Sequence, residues 1–249
     1  AGAGTLGLLI PPSIIMIVYG VAADVSIAKL FIAGVLPGIL LAALFSGYLM
    51  AWALMNPGKV PRPDRVMSLG ERLHESRHLI PVVILIAAVL GSIYTGVATA
   101  TEAAAVGVVG SLLLSLVQGS LNWQTFRDSL MGATRLYCMI ALILAGAAFL
   151  TLSMGYIGLP RHLAEYISGL GLSPFVLVVA LALFFIVLGC FMDGISIVVL
   201  TMGVLLPTVQ AAGIDLIWFG IFVVVVVEMA QITPPVGFNL FVLQGMTGK

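Results

Sequence analysis

The chain alternates long apolar runs with short polar links, a pattern that predicts membrane-spanning helices. A helix that crosses the hydrocarbon core of a bilayer needs about 20 residues. Six apolar runs are candidates: residues 31–54, 79–96, 103–117, 131–152, 174–207 and 216–243. Backbone N–H and C=O groups in lipid must be paired within the protein, which favours helices. We therefore expect an all-α polytopic membrane protein.

Two apolar segments are interrupted by consecutive prolines. Pro11-Pro12 divides residues 5–20, and Pro234-Pro235 divides the last run. Each proline lacks a backbone donor and clashes with the preceding helical turn, so neither segment forms one regular helix. Interrupted helices in corresponding positions of two halves point to the binding site of a transporter. Two ordinary proline kinks are the alternative, since transmembrane helices tolerate them.

A third interruption lies within residues 174–207, which are too many for one straight span. Residues 189–196 contain two glycines, a serine and Asp193. A carboxylate beside unwound backbone carbonyls supplies the oxygen ligands that an alkali cation prefers. Alternatively, Asp193 is protonated and hydrogen-bonded to a neighbouring helix. Glu228, five residues before Thr233, is interpreted as a ligand or a buried proton carrier.

Other polar and small positions have structural interpretations. Residues 153–160 interrupt an apolar run, and the ten residues that follow are too few for a span, which predicts a re-entrant hairpin with its tip at 153–160. The amphipathic stretch 121–135 is predicted to lie in the membrane interface. Residues 99–102 have the spacing of a helix capping box. Gly34 and Gly38 have the spacing of close helix packing.

Composition narrows the classes of function. The 249 residues are 61% hydrophobic and 8% charged, with a mean hydropathy of +1.23 and zero net charge, which excludes an ordinary soluble domain. Half of the ten Lys and Arg residues lie in residues 56–78, so this loop is predicted to be cytoplasmic. The sequence contains no nucleotide-binding loop and no dinucleotide glycine motif. We expect an ion gradient, rather than hydrolysis by this chain, as the energy source.

Four ordered blocks resemble the large membrane (M) subunit of the tripartite ATP-independent periplasmic (TRAP) transporters. They are residues 4–13, 30–38, 98–104 and 233–241. Ala100 stands where the family usually has proline, a small departure. The resemblance covers the whole chain, which corresponds to the C-terminal half, or slightly more, of such a subunit. An earlier part, with the first hairpin and most of the first cation site, is expected before Ala1.

The resemblance implies sodium-coupled secondary uptake of an organic acid across the bacterial inner membrane. The expected solutes are C4-dicarboxylates, sialic acid or related carboxylated acids, and the expected partners are a periplasmic substrate-binding protein and a small membrane (Q) subunit. No enzyme activity and no cofactor are expected beyond Na+ as the coupling ion. The implied fold is an elevator-type transporter with inverted repeats, broken helices and a re-entrant hairpin.

The resemblance also assigns residues to two sites. The cation-binding residues are Asp193, Thr233, Gly237, Ser153 and Gly155, with Na+ held at Asp193 and Thr233 and the hairpin tip closing over it. The substrate-binding residues are Ser13, Asn239, Pro11, Pro12, Pro234 and Pro235. Arg135 and Arg161, which flank the hairpin, are possible contacts for an anionic solute or interface anchors.

Three parts of the chain are predicted. Residues 1–20 form the first broken helix of a transport domain, residues 21–130 form scaffold spans with the cytoplasmic loop and the interfacial helix, and residues 131–249 form the second hairpin and broken helices.

Two alternatives to the function of a TRAP subunit remain. One is a stand-alone sodium-coupled carboxylate transporter of related fold. The other is an intramembrane aspartyl hydrolase, which needs a second membrane aspartate beside Asp193, whereas every other Asp lies in a polar link.

Overall fold

A computed structural model describes residues 2–59 and 68–233, and this part of the chain is helical, without strands. The α-helices are α1 (Gly2–Leu9), α2 (Ile14–Ala22), α3 (Ile27–Met55), α4 (Leu69–Ser76), α5 (Ile80–Tyr94), α6 (Ala100–Val117), α7 (Trp123–Ile157), α8 (Leu159–Gly169), α9 (Pro174–Gly189), α10 (Gly194–Ala211) and α11 (Leu216–Gln231). Five helical segments of this part are long and apolar enough to cross a membrane. The predicted all-α polytopic class is confirmed.

The chain divides into two compact units. One unit is Ala43–Ala133, in which α5 and α6 pack against each other. Their connection ends in the predicted capping box: Thr99 Oγ1 accepts a hydrogen bond from Glu102 N, and Thr99 N donates to the Glu102 carboxylate at 2.8 Å. Glu102 therefore stabilises the start of α6 by satisfying backbone donors that a helix leaves free.

The other unit comprises Ala1–Ala42 and Thr134–Lys249, and α11 lies at its centre. Helix α11 packs on α9, α1, α10 and α2. Ten of its 16 residues are buried, as expected for a helix that is apolar on all sides. Tyr19 of α2 is fully buried, and its hydroxyl donates to Leu216 O at 2.7 Å. This bond satisfies a polar group in an otherwise apolar contact.

Two glycines of α3 pack directly against the first helix break. A Cβ at Gly34 would lie 3.1 Å from Leu9 O, and one at Gly38 would lie 2.8 Å from Ile10 Cγ1. Both distances are shorter than an ordinary carbon contact of about 3.5–4.0 Å. The predicted close packing therefore occurs, and its partners are Leu9 and Ile10, which precede Pro11, and Met16 of α2, whose Cε would lie 2.5 Å from a Cβ at Gly34.

The interfacial helix predicted for residues 121–135 and the hairpin tip predicted for residues 153–160 have other boundaries in the structure. The stretch 121–135 is not a separate helix, because α7 runs without interruption from Trp123 to Ile157. No proline lies within α7, and its three isolated glycines do not end the helix. The turn occurs instead at Gly158, which has a φ of 78°, a conformation that glycine adopts at little cost. Most of the predicted tip, 153–160, is thus helical.

Candidate functional site

Ser13 replaces a backbone hydrogen bond that is lost at the first helix break. Pro11 and Pro12 are joined by a cis peptide bond, and neither has the N–H that would bond to the carbonyl four residues earlier. Ser13 Oγ replaces one donor, because it donates to Leu8 O, and it also accepts from Met16 N at 3.2 Å as the N-cap of α2. Ser13 has no exposed surface, so contact with a solute requires its neighbours to move.

The second described break lies between α9 and α10. Asp193 is the N-cap of α10, where its carboxylate accepts hydrogen bonds from Ser196 N, at 3.1 Å, and from Ser196 Oγ. The side chain is half-buried. Ser196 was not assigned a role from the sequence, although its position three residues after an aspartate fits a helix cap. A carboxylate has about four lone-pair positions, and Ser196 takes two of them.

Three helix ends converge at Gly194. A Cβ at this position would lie 2.6 Å from Gln231 Nε2, 2.7 Å from Val227 Cγ1 and 2.8 Å from Ile15 Cδ1. Gly194 thus lets the start of α10 approach the start of α2 and the end of α11 more closely than any residue with a side chain allows. The break at Asp193 and the break at Ser13 lie side by side.

Thr233 follows the end of α11 in this same region. Its N–H donates to Ala230 O at 3.0 Å, and its hydroxyl donates to Met229 O at 2.7 Å. Because Gly194 approaches Gln231, the segments that carry Asp193 and Thr233 adjoin. The second proline pair, Pro234-Pro235, together with Gly237 and Asn239, lies outside the described residues.

The structure does not bring Ser153 and Gly155 to this region. Both lie within α7, and Ser153 Oγ donates to Phe149 O at 2.9 Å. Gly155 and Pro207, near the end of α10, line one cavity of about 600 Å³. Asp193 lies 14 positions before Pro207, which is roughly 20 Å along a helix. This arrangement does not support a cation site that joins the two residues of α7 to Asp193.

Arg161 and Glu165 line the same cavity at the surface of α8. The Arg161 guanidinium donates to the Glu165 carboxylate at 2.8 Å, and both side chains are largely exposed. The hydrogen bond and the charge of Arg161 lower the pKa of Glu165 below its ordinary value. Arg161 is therefore paired in this structure, and an anion that binds to it must compete with Glu165.

Glu228 is the most buried charged side chain at the breaks, with 2% of its surface exposed. Within the described part of the chain, neither carboxylate oxygen has a hydrogen-bond partner. The backbone amide of Leu9, at the end of α1, is near enough to interact with it electrostatically. A carboxylate in such surroundings is costly unless its charge is offset.

Comparison with known proteins identifies the family. A sequence model of the DctM component of tripartite ATP-independent periplasmic transporters matches residues 1–249. The chain belongs to this family. The predicted membership of the large TRAP subunit is therefore correct, and the predicted multi-pass inner-membrane location agrees with it. The named relatives are transporter permeases, not enzymes.

The curated relatives of this DctM-family chain are named for the transport of different solutes. A C4-dicarboxylate TRAP transporter large permease protein of Pseudomonas aeruginosa is 37% identical over 99% of the chain. A sialic acid TRAP transporter large permease protein of Vibrio cholerae is 31% identical over 96% of it. An isethionate TRAP transporter permease protein of Oleidesulfovibrio alaskensis is 32% identical over 99% of it. The chain spans 57%, 55% and 39% of these three proteins, respectively.

Proposed function

We propose that the chain is part of a permease that couples the uptake of an organic acid to a sodium gradient, together with a periplasmic substrate-binding protein and a small membrane subunit. The relatives named for C4-dicarboxylate and sialic acid transport support a carboxylated solute. The transport step is an elevator movement of the unit that contains the helix breaks. The isethionate relative adds a sulfonate to the solutes to be tested.

One observation carries this proposal: the ends of α2, α10 and α11 meet at Gly194, and Asp193 begins α10 there. Helix starts present backbone N–H groups and the positive end of a dipole, which favour an anion. Asp193 keeps lone pairs that Ser196 does not use, and these favour a cation. Adjacent places for an anion and a cation are what coupled binding of an organic acid and Na+ requires.

We assign the sodium site to Asp193 and Thr233, with Gly237 as a further contact. We assign the solute to Ser13, Pro11 and Pro12, and, from the family resemblance alone, to Asn239, Pro234 and Pro235, which lie outside the described residues. Ser153 and Gly155 are left out of this proposal because α10 separates them from Asp193.

The function is tested with the complete transporter reconstituted in liposomes. Uptake of a labelled C4-dicarboxylate, sialic acid and isethionate is measured with an inward Na+ gradient or a K+ gradient, each with and without the substrate-binding protein. We expect uptake of one acid only with Na+ and the binding protein together. Equal uptake in K+ would refute sodium coupling. Sodium-driven uptake without the binding protein would indicate the stand-alone carrier instead.

The site is tested with two pairs of matched variants. Asp193→Asn and Asp215→Asn each remove one charge but keep an amide oxygen that caps a helix as well as a carboxylate does; Asp215 caps α11 through Trp218 N at 2.8 Å. Thr233→Val and Thr201→Val each remove a hydroxyl that donates to a carbonyl four residues earlier at 2.7 Å.

We expect only Asp193→Asn and Thr233→Val to raise the Na+ concentration for half-maximal uptake, by about tenfold or more, equal to about 1.4 kcal/mol of binding free energy. Unchanged sodium dependence in these two variants would show that the site is elsewhere. An equal change in the Asp215 and Thr201 controls would show a general effect on the fold.

A further inference from the structure

Glu228 has a position that the proposed sodium site does not explain. It lies on α11 more than one helical turn before Thr233, beside Leu9 at the end of α1. With 2% exposure it has almost no access to solvent. Its two oxygens have no hydrogen-bond partner among the described residues. The side chain is therefore a buried acceptor that faces the first helix break.

Within the part of the chain that the structure describes, the helices that pack around Glu228 contain no positive side chain that offsets its charge. The helices that pack on α11 are α9, α1, α10 and α2, and none of them contains a Lys, Arg, His or acidic residue. Their one titratable group, the Tyr19 hydroxyl, donates to Leu216 O, twelve positions from Glu228 on α11. Cys190 and Asp193 lie in the link between α9 and α10. Neither can supply a positive charge.

The adjoining break favours a cation further. Pro11 and Pro12 remove two backbone donors at the end of α1, and Ser13 Oγ replaces the donor for Leu8 O. The end of a helix also has the negative end of its dipole. Among the described residues, a buried carboxylate without a hydrogen-bond partner thus lies beside the negative end of α1, where a proton or a hard monovalent cation offsets the negative charge.

We infer that Glu228 forms a second binding site for one monovalent cation, separate from the Asp193–Thr233 site. The occupant, a proton or an alkali cation, neutralises the carboxylate beside the end of α1. This inference does not depend on sodium-coupled uptake, because it concerns charge balance in the folded protein.

Infrared spectra of the purified complete transporter in lipid, compared between the original protein and its variants, separate the two occupants. Spectra are recorded with and without Na+ for the original protein, Glu228→Gln, Glu228→Asp and Asp193→Asn, and binding of radioactive Na+ is measured for the same proteins. The glutamine is neutral and of nearly equal size, so it imitates the protonated acid. The aspartate keeps the charge and serves as the conservative variant.

A carboxylic acid C=O band that is lost in Glu228→Gln, but kept in Asp193→Asn, would show that Glu228 holds a proton. If this band is absent, we expect Na+ binding to be at least about tenfold weaker in Glu228→Gln and partly restored in Glu228→Asp, which would show an alkali cation. A tenfold change in affinity equals about 1.4 kcal/mol of binding free energy. If Glu228→Gln leaves both the band region and Na+ binding unchanged, the inference is wrong. If Asp193→Asn weakens Na+ binding while Glu228→Gln changes neither the carboxylic acid band nor Na+ binding, the sodium site stands and the second site does not.

Discussion

Gly194 leaves no room for an added side chain at the proposed site. The substitution Gly194→Ala adds one Cβ, which would lie 2.6, 2.7 and 2.8 Å from side-chain atoms of Gln231, Val227 and Ile15. An ordinary carbon contact is about 3.5–4.0 Å, so each neighbour must move by about 1 Å. All three residues are buried, and Val227 is β-branched, which restricts its side-chain movement.

Two opposing effects set the magnitude. Overpacking a buried position costs about 1–3 kcal/mol, and contact on three sides places Gly194→Ala near the upper value. Alanine is favoured over glycine in a helix by about 1 kcal/mol, and Gly194 does not have a positive φ that would oppose this gain. The cost of overpacking exceeds the gain in helix propensity. We expect a net loss of about 2 kcal/mol in the free energy of unfolding.

Gly146→Ala is the matched control for this change. Gly146 lies within α7 in the same unit, and a Cβ there would meet no atom within 4 Å. Unfolding of the complete protein in mixed micelles is measured by titration with denaturing detergent. We expect Gly146→Ala to be at least as stable as the original protein and Gly194→Ala to be less stable. If Gly194→Ala is as stable as the control, the three helix ends do not meet there.

Three further predictions concern polar groups and are checked by the same unfolding measurement. Ser13→Ala is expected to lose about 1–2 kcal/mol, because it removes a buried N-cap and leaves Leu8 O without its donor; no loss would contradict the capping role. Asp193→Ala is expected to lose about 1 kcal/mol and Asp193→Asn almost nothing; equal losses would contradict the cap of α10. Arg161→Gln is expected to lower the free energy of unfolding slightly above pH 4.5, the ordinary pKa of Glu165. This loss should disappear as the pH falls through the lowered pKa of Glu165. A loss of stability that persists in acid would refute the ion pair.

The sequence predicted the helix breaks well because their causes are local. Pro11-Pro12 cannot continue a helix whatever surrounds it, and the structure ends α1 at Leu9 and begins α2 at Ile14. The break beside Asp193 and the capping box before α6 also depend only on residues a few positions apart. The spacing of Gly34 and Gly38 predicted close packing, but it did not identify the residues around Pro11 as the partner.

The parts that the sequence predicted poorly depend on length or on distant contacts. Residues 121–135 have an amphipathic pattern, yet nothing in them ends a helix, so they continue into the apolar run as α7. Ser153 and Gly155 were grouped with Asp193 by resemblance, whereas the structure places Gly155 near the other end of α10. Helical periodicity gives the faces of a helix, but not which end of a neighbouring helix meets them.

Charge balance connects the two proposals. The helices α1, α2, α9, α10 and α11 contain no Lys, Arg or His, while Asp193 and Glu228 lie at or next to their ends. Two carboxylates in an apolar bundle without a basic side chain are costly unless protons or metal cations accompany them. An anionic solute that enters the same bundle adds to this negative charge. If the proposed function is correct, its binding therefore becomes more favourable when cations bind with it, and this is the thermodynamic basis that we propose for coupled transport.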